Sequence, residues 1–312
     1  MDNQQWIELL LFSKDAPAVI WQHIADHLLE IALQNGKYAL LHQATVFPDR
    51  LLSEAAYTLW SDFSASAPHT SACLTGIPHS HAILILDALS LRELPIIMQE
   101  AEQRNITAKA ALTFSEVPSD TDAFAQALGL PGRANLENNG KSKNFKVFAG
   151  EECYTDSVRI PFADVHVDSM PNIFIWHSFL DDHIHNGCTG TELENHAKTA
   201  LTSDGFWSFV DKMRQGRKLV ITSDHGYGVA EQFSSELKDE AARMMKDHFK
   251  AQRFASSSEP VSKFIPPLFI QHGSLRVVTG QRKWKVQGSS KVTHSGLSLL
   301  EVASPWIEIN GR

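Results

Sequence analysis

Three aspartates each close a short apolar run: Asp87 in AILILD, Asp181 in IFIWHSFLD and Asp224 in LVITSD. Histidines accompany two of them, His225 directly after Asp224 and His185 four residues beyond Asp181. A third, His294, stands in THSGLSLLEV. Crowded bare carboxylates repel one another and lose solvation, so such a cluster needs a compensating positive charge. Mixed aspartate and histidine donors suit zinc or manganese better than magnesium or calcium. Any one of the 15 histidines, or a lone Asp at a strand end, more often serves as a hydrogen-bonded or capping residue. The joint pattern is what points to a metal.

The elements that must position these residues are legible around them. From residue 81 onward, continuously apolar runs alternate with helical patterns, the signature of a largely parallel sheet covered on both faces. The carboxyl ends of such strands open onto one crevice, so acids at three of them converge. The first 80 residues read as helical. Asp15 caps a helix with Pro17 in its first turn and Ile20, Ile24, Leu28 and Ile31 at helical spacing, ended by Asn35-Gly36. A second helix is expected after Pro48, with Leu52, Ala56, Leu59 and Phe63 on one face. FASSSEPVSKF (254–264) reads as a loop or hinge, and SSELKDEAARMMKDHFKAQR (234–253) as an amphipathic helix that acts as a lid or a partner surface.

Composition bounds the answer. At 312 residues the chain suits one large α/β domain with additions. Hydrophobic residues make up 43% and charged residues 21%, ordinary for a soluble globular protein. A net charge of −8 excludes a surface that binds nucleic acid throughout, so any basic footprint is local. Cys73, Cys153 and Cys188 are far apart and odd in number, and read as reduced thiols of the cytoplasm. The opening MDNQQWIELLLF lacks the features of a signal peptide. No run approaches the ~20 apolar residues that span a bilayer.

The ordered set Asp87, PSDT (118–121), DDHIH (181–185), SDHG (223–226) and THSGLS (293–298) resembles the alkaline phosphatase superfamily. Within it, LILDALSLRELP and HSGLSLLEVASPWIEI are most similar to the PglZ domain family. The resemblance covers residues 80–312. It implies a three-layer α/β/α sandwich with a largely parallel central sheet at 81–312 and an insertion at about 229–290; the helical N-terminal region, 1–80, lies outside it. It also implies two divalent metal ions, Zn2+ or alternatively Mn2+. Asp87, Asp224 and His225 would hold one together with the nucleophile, and Asp181, His185 and His294 the other. The nucleophile maps to Thr121, with Ser119 in reserve; the alternative role for Thr121 is an N-cap. Metal coordination can deprotonate a threonine hydroxyl, and free N–H groups at a helix start favour phosphate oxygens. Two positions depart from the pattern: Ser90 stands where Arg is expected, with Arg92 nearby, and Ser295 stands where Gly is expected.

Outside these motifs, His183 reads as a support for the metal site, and His177 and Tyr227 as packing residues. GRANLENNGKSKNFK (132–146) reads as a solvated loop in preference to a phosphate clamp. RVVTGQRKWKVQGSSK (276–291) brings Arg276, Arg282, Lys283, Lys285 and Lys291 around Trp284, and reads as an exposed hairpin. Cations beside an indole suit an oligonucleotide strand. The expectation is a metal-dependent phosphoesterase, first a phosphodiesterase acting on nucleotides or oligonucleotides, in bacterial phage defence or signalling. The alternatives are a phosphomonoesterase or phosphotransferase on the same site, or a non-catalytic scaffold with protein partners in a defence complex.

Overall fold

Residues 1–35, 38–138, 144–149, 151–258, 260–285 and 291–312 are described by a computed structural model. Six strands form the central sheet: β1 (His81–Leu86), β2 (Ala108–Phe114), β3 (Tyr154–Val158), β4 (Ile173–His177), β5 (Lys218–Thr222) and β6 (Ala303–Ile309). Their spatial order is β2-β6-β5-β1-β4-β3. β5, β1, β4 and β3 run parallel, whereas β6 is antiparallel to both its neighbours. β1 lies centrally, with Ala82 opposite Ile173 on one side and Leu219 on the other. Residues 82–86 are fully buried, which is why the strand reads as an unbroken apolar run and not as an alternation. The adjacency β5-β1-β4 puts the segments carrying Asp224, Asp87 and Asp181 side by side at one end of the sheet. Asp181, expected to close its strand, instead lies four residues beyond β4 as the first residue of the helix Asp181–His185.

The N-terminal helices share one apolar core with the sheet. Trp21, from the helix Pro17–Asn35, meets Phe114 of β2 edge-to-face at 4.8 Å and Phe63 at 5.8 Å. Gly36, expected to end that helix, lies outside the described residues. The helix expected to begin after Pro48 instead runs from Tyr38 to Glu54 and passes through the proline. Leu41, Thr45, Pro48, Asp49 and Leu52 form its buried stripe. Burial worth about 1.5–3 kcal/mol per large apolar side chain along this stripe offsets the ~3 kcal/mol that an internal proline costs.

Between β5 and β6 the chain builds the helix Asp239–Phe249 and an antiparallel sheet of Phe254–Ser256, Leu275–Val278 and Phe269–His272. Met244, Met245, Phe249, Leu268 and Val278 give this insertion its own small core. The loop expected at 254–264 therefore starts as a strand, and its residue 259 lies outside the described set. Among the described residues no helix is long and apolar enough to cross a membrane.

Asp49 ties the N-terminal region to the segment after His294. Its carboxylate accepts from Leu299 N and from Gln281 Nε2, both at 2.8 Å. Burial, reinforced by nearby Glu301, pushes Asp49 up to about 7. The folded state therefore holds a proton that the unfolded chain releases near pH 4. The stability it carries is complete below about pH 4 and is lost as pH rises towards about 7. Asp49→Asn keeps an acceptor for Leu299, and Gln281, whose Oε1 lacks a partner, can turn to receive the new amide. Urea unfolding should show the variant gaining up to about 4 kcal/mol on wild type between pH 4 and pH 8. A pH-independent difference would mean that Asp49 is ionised throughout.

Candidate metal centre

Asp224 is the second residue beyond β5, and its position is fixed by local hydrogen bonds. Ser223 Oγ donates to the His225 carbonyl at 2.6 Å and to that of Leu86 at 3.0 Å. Ala88 N and His225 N donate to Asp224 Oδ1 at 3.2 and 3.0 Å. Gly226 is required by close approach, since a Cβ there would lie 2.2 Å from the Leu300 carbonyl oxygen. His225 Nδ1 lies 2.9 Å from the Gly226 carbonyl. As donor to that carbonyl it leaves the Nε2 lone pair for the cluster.

Thr121 is the first residue of the helix Thr121–Ala127, and the capping role falls to its neighbour. Asp120 accepts from Ala123 N at 2.9 Å, so the Thr121 hydroxyl is left to the cluster. It donates to Asp224 Oδ2 at 2.8 Å and lies 3.4 Å from both Asp87 Oδ1 and His225 Nε2. Ser119 is placed differently: its hydroxyl is buried and donates to the Gly296 carbonyl at 2.7 Å. It braces the loop after His294 and does not line the cavity.

Two groups of donors come together, sharing His225: Asp87 with Asp224 and His225, and Asp181 with His225 and His294. Within each group the ligand atoms lie within 4.8 Å of one another. The His225 and His294 rings stack at 4.4 Å. His185 reaches Asp181 Oδ2 at 3.1 Å from the solvent side. Asp181 Oδ1 is buried without a hydrogen-bond partner, with His294 Nε2 3.7 Å away, beyond hydrogen-bond range. A buried carboxylate oxygen left bare beside imidazole nitrogens fits a cation-binding role.

The electrostatics agree. Burial, then Asp224 and Asp181, push Asp87 well above the usual carboxylate range. Burial opposes protonation of His225, but Asp224 and Asp181 outweigh it and pull the imidazole up. Both groups thus take up protons where the cluster lacks positive charge. Burial likewise opposes ionisation of Asp181, yet the His185 hydrogen bond and the His225 charge hold it at about 2. Burial and His225 drive His294 down to about 3, which leaves it a neutral ligand-competent imidazole at ordinary pH.

The cation that the structure does supply is Arg133, from the segment expected to be a solvated loop. Its Nη1 donates to Asp87 Oδ2 at 2.8 Å, and Nε and Nη2 are anchored by Ser157 Oγ, Val158 O and Trp176 O. Residues 139–143 of that segment lie outside the described set. Arg92, the expected substitute cation, turns inward. It donates to the Tyr227 carbonyl and stacks on that ring at 4.7 Å, while Tyr227 and Tyr38 hydroxyls donate to Glu93. Ser295 adopts φ +73°, the left-handed conformation that glycine takes without strain; its hydroxyl lies 2.9 Å from His294 Nδ1.

Other expectations change. His183 does not support the cluster but stacks on His196 at 4.0 Å. His177 is held between the Ile160 carbonyl and Phe179 N, and burial pushes it down to about 4. The exposed basic hairpin is not formed. Leu275–Val278 is a strand of the insertion sheet, and Arg282–Lys283 pairs parallel with Ser235–Glu236. Arg282 is buried, its guanidinium spent on the Pro267 and Ser53 carbonyls. Trp284 donates to the Lys250 carbonyl, and Lys285 faces Glu236 at 3.7 Å. None of the four lines the cavity of about 1260 Å³ that opens over Asp87, Thr121, Asp181 and His294. Residues 286–290 lie outside the described set. The long amphipathic segment is helical only over Asp239–Phe249, and the insertion reaches the cavity through residues 251–254. No family model and no curated protein matches this chain.

A buried ion pair shapes the His294 loop. Arg253 Nε donates to Glu301 Oε1 at 2.7 Å, and Glu301 also accepts from Gly296 N, Ser298 N and Ser298 Oγ. Glu301→Ala would leave the Arg253 guanidinium buried and uncompensated. Denaturant unfolding should register a loss of about 3–5 kcal/mol. A loss below about 1 kcal/mol would show that solvent replaces the carboxylate freely.

Proposed function

We propose that this chain is a metal-dependent phosphoesterase of PglZ type on the three-layer alkaline phosphatase sandwich, acting first on phosphodiesters of nucleotides or oligonucleotides. One observation carries the reading. A threonine hydroxyl freed from capping lies within 3.4 Å of two buried carboxylates and an imidazole, at the edge of a polar cavity. Asp87, Asp224 and His225 with Thr121, and Asp181, His185 and His294, would hold two ions, Zn2+ or alternatively Mn2+. When bound, these ions would neutralise the carboxylates, acidify the hydroxyl and polarise the phosphoryl group.

The residues themselves divide the remaining work. The hydrogen bond to Asp224 Oδ2 directs the Thr121 proton away from the cavity, so the oxygen lone pairs face the substrate. Thr121 Oγ1 would pass its proton to Asp224 Oδ2 and form a bond to phosphorus as the ester oxygen departs and takes a proton from solvent. The threonyl phosphate ester left, still carrying the second substituent when the substrate is a diester, would then be hydrolysed by water to restore the hydroxyl. Arg133, whose Nη1 lies 2.8 Å from Asp87 Oδ2, would hold non-bridging oxygens of the phosphoryl group. The cavity exceeds a phosphate group, and Arg159 and Asn138 also line it, which supports a diester with substituents on both sides. A phosphomonoesterase or phosphotransferase is the second reading, favoured by the single guanidinium at Asp87. A place in cytoplasmic phage defence or signalling, and protein partners there, rests on the resemblance alone.

Thr121→Ala should cut turnover of a metal-replete enzyme about 10³-fold or more with the fold intact, while Thr121→Ser keeps measurable activity. Normal turnover by Thr121→Ala would remove the nucleophile assignment. Elemental analysis should find about two ions per chain in this cluster, lost together with activity in the Asp224→Ala, His225→Ala double variant. Comparing aryl phosphate with its diester decides between the two readings, and hydrolysis of neither would reject both.

A further inference from the structure

Beginning two residues beyond Asp181, at His183, the chain assembles a second donor cluster that the phosphoesterase reading does not use. His183 lies on the short helix Asp181–His185, Cys188 on the turn after it, and His196 on the helix Gly190–Leu201. Cys188 N donates to the His183 carbonyl at 3.3 Å, folding the thiol back towards the imidazole it follows. The His183 and His196 rings lie face to face at 4.0 Å with 13° between their planes. One donor atom from each of the three residues lies within 4.8 Å of the others. Among the described residues, neither ring nor the thiol makes a side-chain hydrogen bond.

We propose that His183, Cys188 and His196 form a separate zinc site that clamps the two helices together. Two imidazoles and a thiolate are the donor set of a borderline-soft ion, and three protein ligands leave a fourth position to solvent. Zn–N distances of about 2.0–2.1 Å and a Zn–S distance of about 2.3 Å require the donors to close from their present spacing. Because an imidazole lone pair lies in its ring plane, one of the two stacked rings must turn out of the stack on binding. Burial and the nearby Glu192 push the Cys188 thiol up, so the free thiol is protonated at neutral pH. Binding breaks the S–H bond, forms the S–Zn bond and releases the proton to solvent. The clamped helix carries Asp181 and His185, so this ion would fix the attitude of two cluster residues without touching substrate.

Cobalt(II) separates this site from the carboxylate cluster, because a thiolate ligand alone gives the sulfur-to-cobalt charge-transfer absorption in the near ultraviolet. The Asp224→Ala, His225→Ala protein, loaded with cobalt, should show that band at about one ion per chain. Cys188→Ser in the same background should abolish it, and Cys73→Ser or Cys153→Ser should leave it intact. Wild type reconstituted with zinc should likewise lose about one equivalent on Cys188→Ser. Absence of the band before Cys188 is changed, or its persistence afterwards, would overturn the proposal. Cys188→Ser is a conservative change at a half-buried turn position, so retained circular dichroism completes the control.

Discussion

Three carboxylates, Asp87, Asp181 and Asp224, are held out of water within reach of one another, and their mutual repulsion is the constraint around which the rest is arranged. An isolated buried carboxylate relieves its cost by taking a proton, and the rise of Asp87 is that response. Arg133 supplies partial compensation at 2.8 Å. One guanidinium against three acids leaves Asp181 Oδ1 bare. Every neighbouring device works to keep the acids from separating. The strand order sets their spacing, Ser223 ties the β5 loop to the end of β1, and Gly226 admits the Leu300 backbone where any side chain would collide.

That constraint was largely legible in the sequence because its signals are local. A strand buried on both faces must be apolar throughout, so an aspartate just past its end stands out. Asp87 and Asp224 lie there, and Asp181 follows four residues after β4 at the start of a helix. The adjacency of β5, β1 and β4 is not local, but parallel strands that share a crevice leave few alternatives. The parts that escaped depend on distant partners. Arg133 sits in a stretch of Asn, Lys and Gly whose composition describes a loop, and only the fold brings it to Asp87. Arg282 looked exposed because RKWKV alternates, yet its neighbours across space are backbone carbonyls at 267 and 53. Pro48 reads as a helix start from its own chemistry, and the burial of the residues around it reverses that reading.

The N-terminal helices are joined to the site by more than packing. Asp49 receives Leu299 N, Arg282 reaches the Ser53 carbonyl, and Gln281 bridges Thr45 and Asp49. These bonds cross more than 200 positions of sequence and converge on residues 281–299, on both sides of His294. Glu301 and Arg253 complete the same junction from the insertion side. The loop bearing His294 is thus gripped by three parts of the chain, which suits a ligand that must hold its direction while a backbone such as that of Ser295 sits in a left-handed conformation costing ~1–2 kcal/mol.

Threonine at position 121 fits this economy of fixed directions. Its branched Cβ restricts χ1, and Asp120 relieves it of capping, so the hydroxyl has a defined orientation without serving the helix. In the absence of a cation, a hydroxyl between two carboxylates gains one hydrogen bond at 2.8 Å and little else. Once positive charge enters, the same carboxylates are neutralised, and the oxygen that faced them is the group whose ionisation the new field most favours. On the proposed two-ion reading, the arrangement that makes this corner of the protein electrostatically unfavourable is the one that would make its hydroxyl reactive. A more stable cluster, with Arg133 duplicated at Asp181 and Asp224, would leave no charge for a cation to neutralise.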